Sequence, residues 1–205
     1  MAVEVGIVEV GLEEGQSVRR FQLLLRPGVA TMRRVRYGVA MSLDGYIAGP
    51  KGEYDWIVMD PDIDFGALMS RFDTFLVGRR TYETMLAQGE AGRTPGIELV
   101  VFSRTLKPVD HPGVKVVSRD AGAAVRALKE KPGKEIALFG GGDLFRSLLE
   151  EGVVDTVEVA VVPVLLGGGV PLLPSPAPRA TLKLASQRLY QKTGTMLLEY
   201  DVATK

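Results

Sequence analysis

Residues 135–152 confine the architecture of this chain more than any other stretch. Ile136-Ala-Leu-Phe139 is a short apolar run, and three glycines, Gly140 to Gly142, follow at once. Leu144, Phe145, Leu148 and Leu149 then recur at helical spacing until Gly152 stops the pattern. That order predicts a buried strand, a glycine turn and a helix N-terminus. Glycines there let the backbone approach a ligand closely, and unbonded N–H groups at a helix start attract an anion. The same geometry serves a tight connection with no ligand, so this stretch alone leaves both readings open.

The flanking sequence repeats the alternation. Val35 to Met41, Asp73 to Gly78, Glu98 to Phe102 and Val114 to Val117 read as strands. Residues 61–72, Arg79 to Leu86 and Asp120 to Lys131 read as helices, the first with Asp62 and Asp64 in its opening turn. After Gly152 the texture changes to Val153–Val162, Thr181–Leu189 and Thr195–Tyr200, the last two joined through Lys192-Thr-Gly194 as an antiparallel hairpin. The expectation is an α/β domain: a mostly parallel sheet with helices on both faces and an antiparallel C-terminal pair. Residues 32–205 form that domain. Residues 1–31 are an extension, with strand character at Val3–Val10 and Ser17–Leu25, read either as a hairpin or as sequence preceding the true start at Met32.

Composition removes several function classes. The 205 residues carry 25 basic and 25 acidic side chains, which points to neither a nucleic-acid nor a membrane surface. There is no cysteine, hence no disulfide, thiolate metal site or cysteine nucleophile, and a single histidine, His111, in a Val-Asp-His-Pro-Gly turn expected to be exposed. No metal site is expected. The longest apolar region, Val157 to Pro174, is broken by Pro163 and Gly167–Gly169, and the chain reads as cytoplasmic.

In an open α/β sheet, ligands bind beyond the carboxyl ends of the strands. Four of the expected strands end in chemically loaded turns: Ala40-Met-Ser-Leu-Asp44, Gly78-Arg-Arg-Thr81, Ser103-Arg-Thr105 and Gly140-Gly-Gly-Asp143. If the strands are parallel, these turns share one rim. Helix N-termini and guanidinium forks there suit a long polyanionic ligand.

These pieces, with Pro163-Val-Leu-Leu-Gly-Gly-Gly169, occur in an order that resembles the dihydrofolate reductase-like superfamily. The closest likeness is to the reductase domain of bifunctional riboflavin-synthesis deaminase-reductases and their stand-alone relatives. The resemblance implies an NADPH-dependent reductase of a small molecule. It assigns Gly78, Arg79, Arg80 and Thr81 to a cofactor phosphate, Ser103 and Arg104 to the adenosine 2′-phosphate, Gly140, Gly141 and Gly142, with Asp143 and Leu144 after them, to pyrophosphate and nicotinamide, and Ala40 to the carboxamide. The expected reaction is that of a 5-amino-6-(5-phosphoribosylamino)uracil reductase, with a dihydropterin reductase as the alternative. A nucleotide-binding protein without turnover is the competing class. A homodimer, as in relatives, is expected from the apolar C-terminal hairpin and the valine-rich 153–162 segment.

Reduction of a C=N bond also needs a proton at nitrogen, for which a carboxyl in a dry pocket is a common source. Asp44, Asp62 and Asp64 are the candidates, against an Asx turn for the first and helix capping for the others. Tyr46, Trp56 and Gly168 are the expected substrate-side residues. Two departures from the riboflavin pattern fall on that side: Tyr46 stands where a basic residue is common, and Phe139 where an acidic one is.

Overall fold

The computed structural model describes residues 32–89 and 95–203; the hairpin expected in residues 1–31 lies outside them. Eight strands form one sheet in the order β5-β4-β3-β6-β1-β7-β10-β9. They are β1 (Val35–Ser42), β3 (Phe72–Gly78), β4 (Glu98–Phe102), β5 (Lys115–Val117), β6 (Glu135–Gly140), β7 (Thr156–Val162), β9 (Leu182–Tyr190) and β10 (Thr195–Val202). Every pairing from β5 to β7 is parallel, and β10 and β9 close the sheet antiparallel. The expected α/β class with its C-terminal hairpin is what the chain forms.

Strand alternation divides the buried side chains between two cores. Val35, Tyr37, Ile136, Leu138, Val157 and Val159 point to the face covered by α3 (Ala121–Lys129) and α4 (Gly142–Glu150). Phe72, Phe75, Val77 and Ala137 point to the other, where α2 (Arg79–Ala87) contributes Tyr82. The Tyr37 ring stacks on Phe145 at 3.9 Å, burying a hydroxyl that has no hydrogen-bond partner among the described residues. His111 is half-buried rather than exposed, its Nδ1 lying 3.2 Å from the Tyr82 hydroxyl.

One expectation needs correction. The helix read over residues 61–72 is only α1 (Phe65–Met69), because Asp64 caps it by accepting from the Ala67 N–H and Asp62 lies before it. β8 (Val170–Pro171) pairs with β2 (Tyr46–Ala48) in a two-stranded ribbon. β7 is paired on both edges, by β1 and β10. The outer strand of the hairpin, β9, is exposed along nearly its whole length and presents Leu182, Leu184 and Leu189.

Candidate active site

The parallel strands bring their carboxyl ends to one rim, and a cleft of about 1740 Å³ runs along it. Gly78 to Thr81, Ser103, Arg104 and Gly140 to Leu144 all line this cleft. Of the four turns expected on the rim, three therefore meet in one space.

Local structure explains what these turns can hold. β3 and β6 are neighbours, so α2 and α4 start side by side. Their N-cap residues are Gly78 and Gly141, and neither helix start receives a side-chain cap. α3, one turn along the rim, is capped by its own Asp120, whose carboxylate accepts from the Ala123 N–H at 3.0 Å. Two helix starts are thus left for an external anion and one is not. Gly140 has φ of +125°, and a side chain on Gly142 would sit 2.8 Å from the Pro171 carbonyl oxygen and 2.9 Å from the Pro174 ring. Glycine is needed at both places, first for the turn and then for the β8 segment lying across it. The Gly140–Gly141 peptide is cis.

The cations differ in how they are held. Arg79 bonds Glu83 one helical turn on, at 2.9 Å. Arg80 and Arg104 are exposed and have no ion-pair partner among the described residues. The Ser103 hydroxyl is occupied by its own turn, accepting from the N–H groups of Thr105 and Leu106. Sequence reasoning missed a further pair. Ser118 and Arg119, at the end of β5, line the same cleft, and Arg119 too lacks an ion-pair partner among the described residues. The signal was a second Ser-Arg dipeptide directly after a strand, repeating Ser103-Arg104.

A second cavity, of about 460 Å³, lies on the α1 face of the sheet and shares Val39, Ile57, Met69 and Phe139 with the cleft. Its floor is flat because Gly38, Ala40, Ala137 and Ala160 present almost no side chain there. Its roof is the segment from Ile57 to Met69, and Phe139, stacked on Phe75 at 5.4 Å, stands at the junction. A flat slot with apolar walls opening beside a phosphate-ready cleft suits a planar ring held against a dinucleotide. Ala40, expected at the carboxamide, lines this second cavity and not the cleft.

The candidate carboxylates separate clearly. Asp44 lines neither cavity. It accepts from the Ser42 hydroxyl at 2.6 Å and from the N–H groups of Leu166 and Gly167, and it fastens the loop after β7 to the end of β1. The Ser42 hydroxyl and these N–H groups hold its carboxyl below the usual aspartate range. Asp62 and Asp64 do line the second cavity, both exposed at its edge, Asp62 paired with Lys192 at 2.7 Å and Asp64 capping α1. Asp60, which sequence reasoning passed over, is buried and accepts from Thr193, pinning the roof to the β9–β10 turn.

The expected substrate-side residues fall elsewhere. Tyr46 sits in the β2–β8 ribbon, Trp56 is half-buried with its indole N–H on the Glu53 carbonyl, and none of Tyr46, Trp56 and Gly168 lines either cavity. Within the glycine run, Gly167 donates to Asp44, a side chain on Gly169 would overlap the Ala48 carbonyl, and one on Gly168 would meet nothing within 4 Å.

Sheet order, glycine turn and rim cleft together define the dihydrofolate reductase-like fold. A dihydrofolate reductase from Enterococcus faecalis, solved with NADP(H) and RAB-propyl, shares that fold with a TM-score of 0.59 at 16% identity, over 83% of this chain and 97% of that one. Within this class the chain belongs to the RibD C-terminal domain family, whose model matches residues 33–196. It is 33% identical over 179 residues to YyaP, an uncharacterized protein of Bacillus subtilis strain 168, spanning 82% of this chain and 94% of that protein. A putative riboflavin biosynthesis protein from Shewanella sp. PV-4 superposes with a TM-score of 0.70 at 26% identity, over 84% of this chain and 100% of that one. Family and fold make this a reductase-like domain. Among the described residues no helix is long and apolar enough to cross a membrane.

Proposed function

We propose that the protein is an NADPH-dependent reductase of a small heterocycle, with a 5-amino-6-(5-phosphoribosylamino)uracil-type compound as the favoured substrate. The observation that carries this reading is the join between two unlike spaces: a long cleft with uncapped helix starts and bare arginines, opening at Phe139 into a flat apolar cavity. NADPH bound in the cleft would supply a hydride. The residues around it bind and orient. The starts of α2 and α4 face the pyrophosphate, with Arg79, Arg80 and Thr81 on the first of them. Arg104 and Arg119 flank the adenosine end, where a phosphomonoester carries close to two negative charges and a guanidinium favours it strongly over a hydroxyl. Ala40 and the Gly140–Gly142 turn position the nicotinamide at the mouth of the cavity. Asp62 and Asp64, on the cavity edge, are the carboxylates from which the imine nitrogen would take its proton.

The test is loss of the nicotinamide absorbance when the purified chain is mixed with NADPH and either the aminouracil ribityl-precursor phosphate or a dihydropterin. Turnover of the first supports the reading. Turnover of the dihydropterin alone moves the substrate to the pterin class. Saturable NADPH binding with turnover of neither identifies a nucleotide-binding protein instead.

A further inference from the structure

We propose that Arg36 and Glu158 on the sheet floor of the smaller cavity are the groups that read the substrate ring, accepting from an N–H and donating to an adjacent C=O. This rests on the assignment of that cavity to the substrate.

The pair comes from strand register. Arg36 and Gly38 of β1 face the same side as Glu158 of β7, and Gly38 lies opposite Glu158. A side chain at Gly38 would meet nothing within 4 Å, so the space beside the carboxylate is open. Glu158 is 8% exposed and Arg36 4% exposed, and both line the cavity. A carboxylate buried to that degree needs partners, and it has them on one side only. Its Oε2 accepts from Arg36 Nη1 at 3.0 Å and lies 3.7 Å from Arg71. Arg36 also donates to Glu135 and Glu199. Glu158 Oε1 and Arg36 Nη2 make no hydrogen bond among the described residues. The floor therefore keeps one acceptor and one donor in reserve, next to each other.

The charge of the cluster narrows the ligand. Three carboxylates, Glu135, Glu158 and Glu199, meet two guanidiniums, Arg36 and Arg71, leaving one negative charge in excess. An anionic group laid on this cluster is repelled, and the same cavity holds Arg188 over the Tyr190 ring, so a substrate phosphate belongs away from the floor. The matching edge is that of a lactam or cyclic ureide, an N–H beside a C=O on a flat ring. A ring with donors only leaves Arg36 unanswered, and a ring with neither leaves both polar atoms dry.

The test titrates three flat probes into the protein saturated with NADPH, by calorimetry: 6-aminouracil, 1,3-diaminobenzene, which offers donors with no ring acceptor, and 2,4-dimethoxypyrimidine, which offers acceptors with no donor. Wild type binds 6-aminouracil at least ~10-fold more tightly than either of the others. Glu158→Met loses at least ~10-fold for 6-aminouracil and little for 2,4-dimethoxypyrimidine. Glu199→Gln, altered in the same ion cluster but off the cavity wall, changes 6-aminouracil binding less than about twofold, which separates recognition from a structural role. Both variants are first checked for an intact melting transition and unchanged NADPH affinity. Equal loss in the two variants, full binding in Glu158→Met, tighter binding of 1,3-diaminobenzene, or no saturable binding of 6-aminouracil to wild type each overturns the proposal. Failure of the wild type to bind NADPH would instead overturn the reductase reading, and the probes titrated without cofactor still report on the floor.

Discussion

The two ends of the parallel sheet both carry cations but treat them differently. At the amino ends of the strands the cations are locked: Arg33 is buried on Asp73 and Thr74, Arg34 pairs with Asp201, and Lys129 bonds both oxygens of Asp155. At the carboxyl ends Arg80, Arg104 and Arg119 stand without a carboxylate among the described residues, beside two helix starts that nothing caps. The first set holds strand ends together. The second set has a charge to offer. An arginine in a strand-end turn is informative about ligands only once its partners are known.

Substitutions at the two ends should therefore separate stability from binding. The largest effect is expected at the amino end. Arg33→Ala removes the cation paired with Asp73, leaving that carboxylate only the Thr74 hydroxyl and the Lys134 N–H, and should cost about 3 kcal/mol of unfolding free energy in a denaturant titration, with NADPH affinity unchanged in whatever fraction stays folded. At the carboxyl end, Arg104→Ala should leave the denaturation midpoint within error and weaken NADPH binding by about 10- to 100-fold, as losing a charge-assisted bond to phosphate would, while NADH binding hardly moves. Arg119→Ala should follow the same pattern with a smaller loss. If Arg104→Ala destabilises the fold as Arg33→Ala does, the contrast between the two ends fails.

Between the ends, Tyr37→Phe removes a buried hydroxyl without a described partner and keeps the ring stack on Phe145. It should be neutral or stabilising by up to about 1 kcal/mol in the same titration. The smallest effect concerns acid. Three carboxyls sit below their ordinary values. Hydrogen bonds led by the Ser42 hydroxyl lower Asp44. Burial raises Asp60 and Glu199, but the Asp62 N–H with Thr193, and Arg36 with Ser186, more than reverse it. A carboxyl depressed in the folded state stabilises above its unfolded pKa, about 4, and the contribution disappears as pH falls through the lower folded value. Melting temperature should be flat through neutral pH and fall below about pH 4. Asp44→Asn should flatten that fall, and an unchanged acid limb would show that the clamp does not titrate as described.

Much of the fold was legible because its signals are local. The strand at Ile136–Phe139, the glycine turn and the Leu144–Leu149 helix follow from periodicity, and the parallel rim follows from strands alternating with helices. Three of the four loaded turns were rightly placed together. What escaped depended on partners far along the chain. Asp44 is separated from Leu166 and Gly167 by more than a hundred residues, so its clamp could not be foreseen. Glu158 reads as one polar residue in a valine-rich strand, and only sheet register sets it opposite Gly38 and beside Arg36. Asp62 and Asp64 were placed inside a helix because the apolar residues after them carry its pattern, while the Asp64 cap moves the helix start to Phe65. Ser118-Arg119 stands directly after the expected Val114–Val117 strand, and its place in the cleft follows only from β5 pairing parallel to β4.

The most direct measurement is a fluorescence titration of the wild-type chain with NADPH and, separately, NADH at fixed low salt. The cleft described above predicts saturable binding of both, with NADPH at least ~10-fold tighter, and a preference that collapses in Arg104→Ala. Equal affinities for the two nucleotides, or a preference that survives that substitution, would contradict the assignment of the rim arginines to the cofactor.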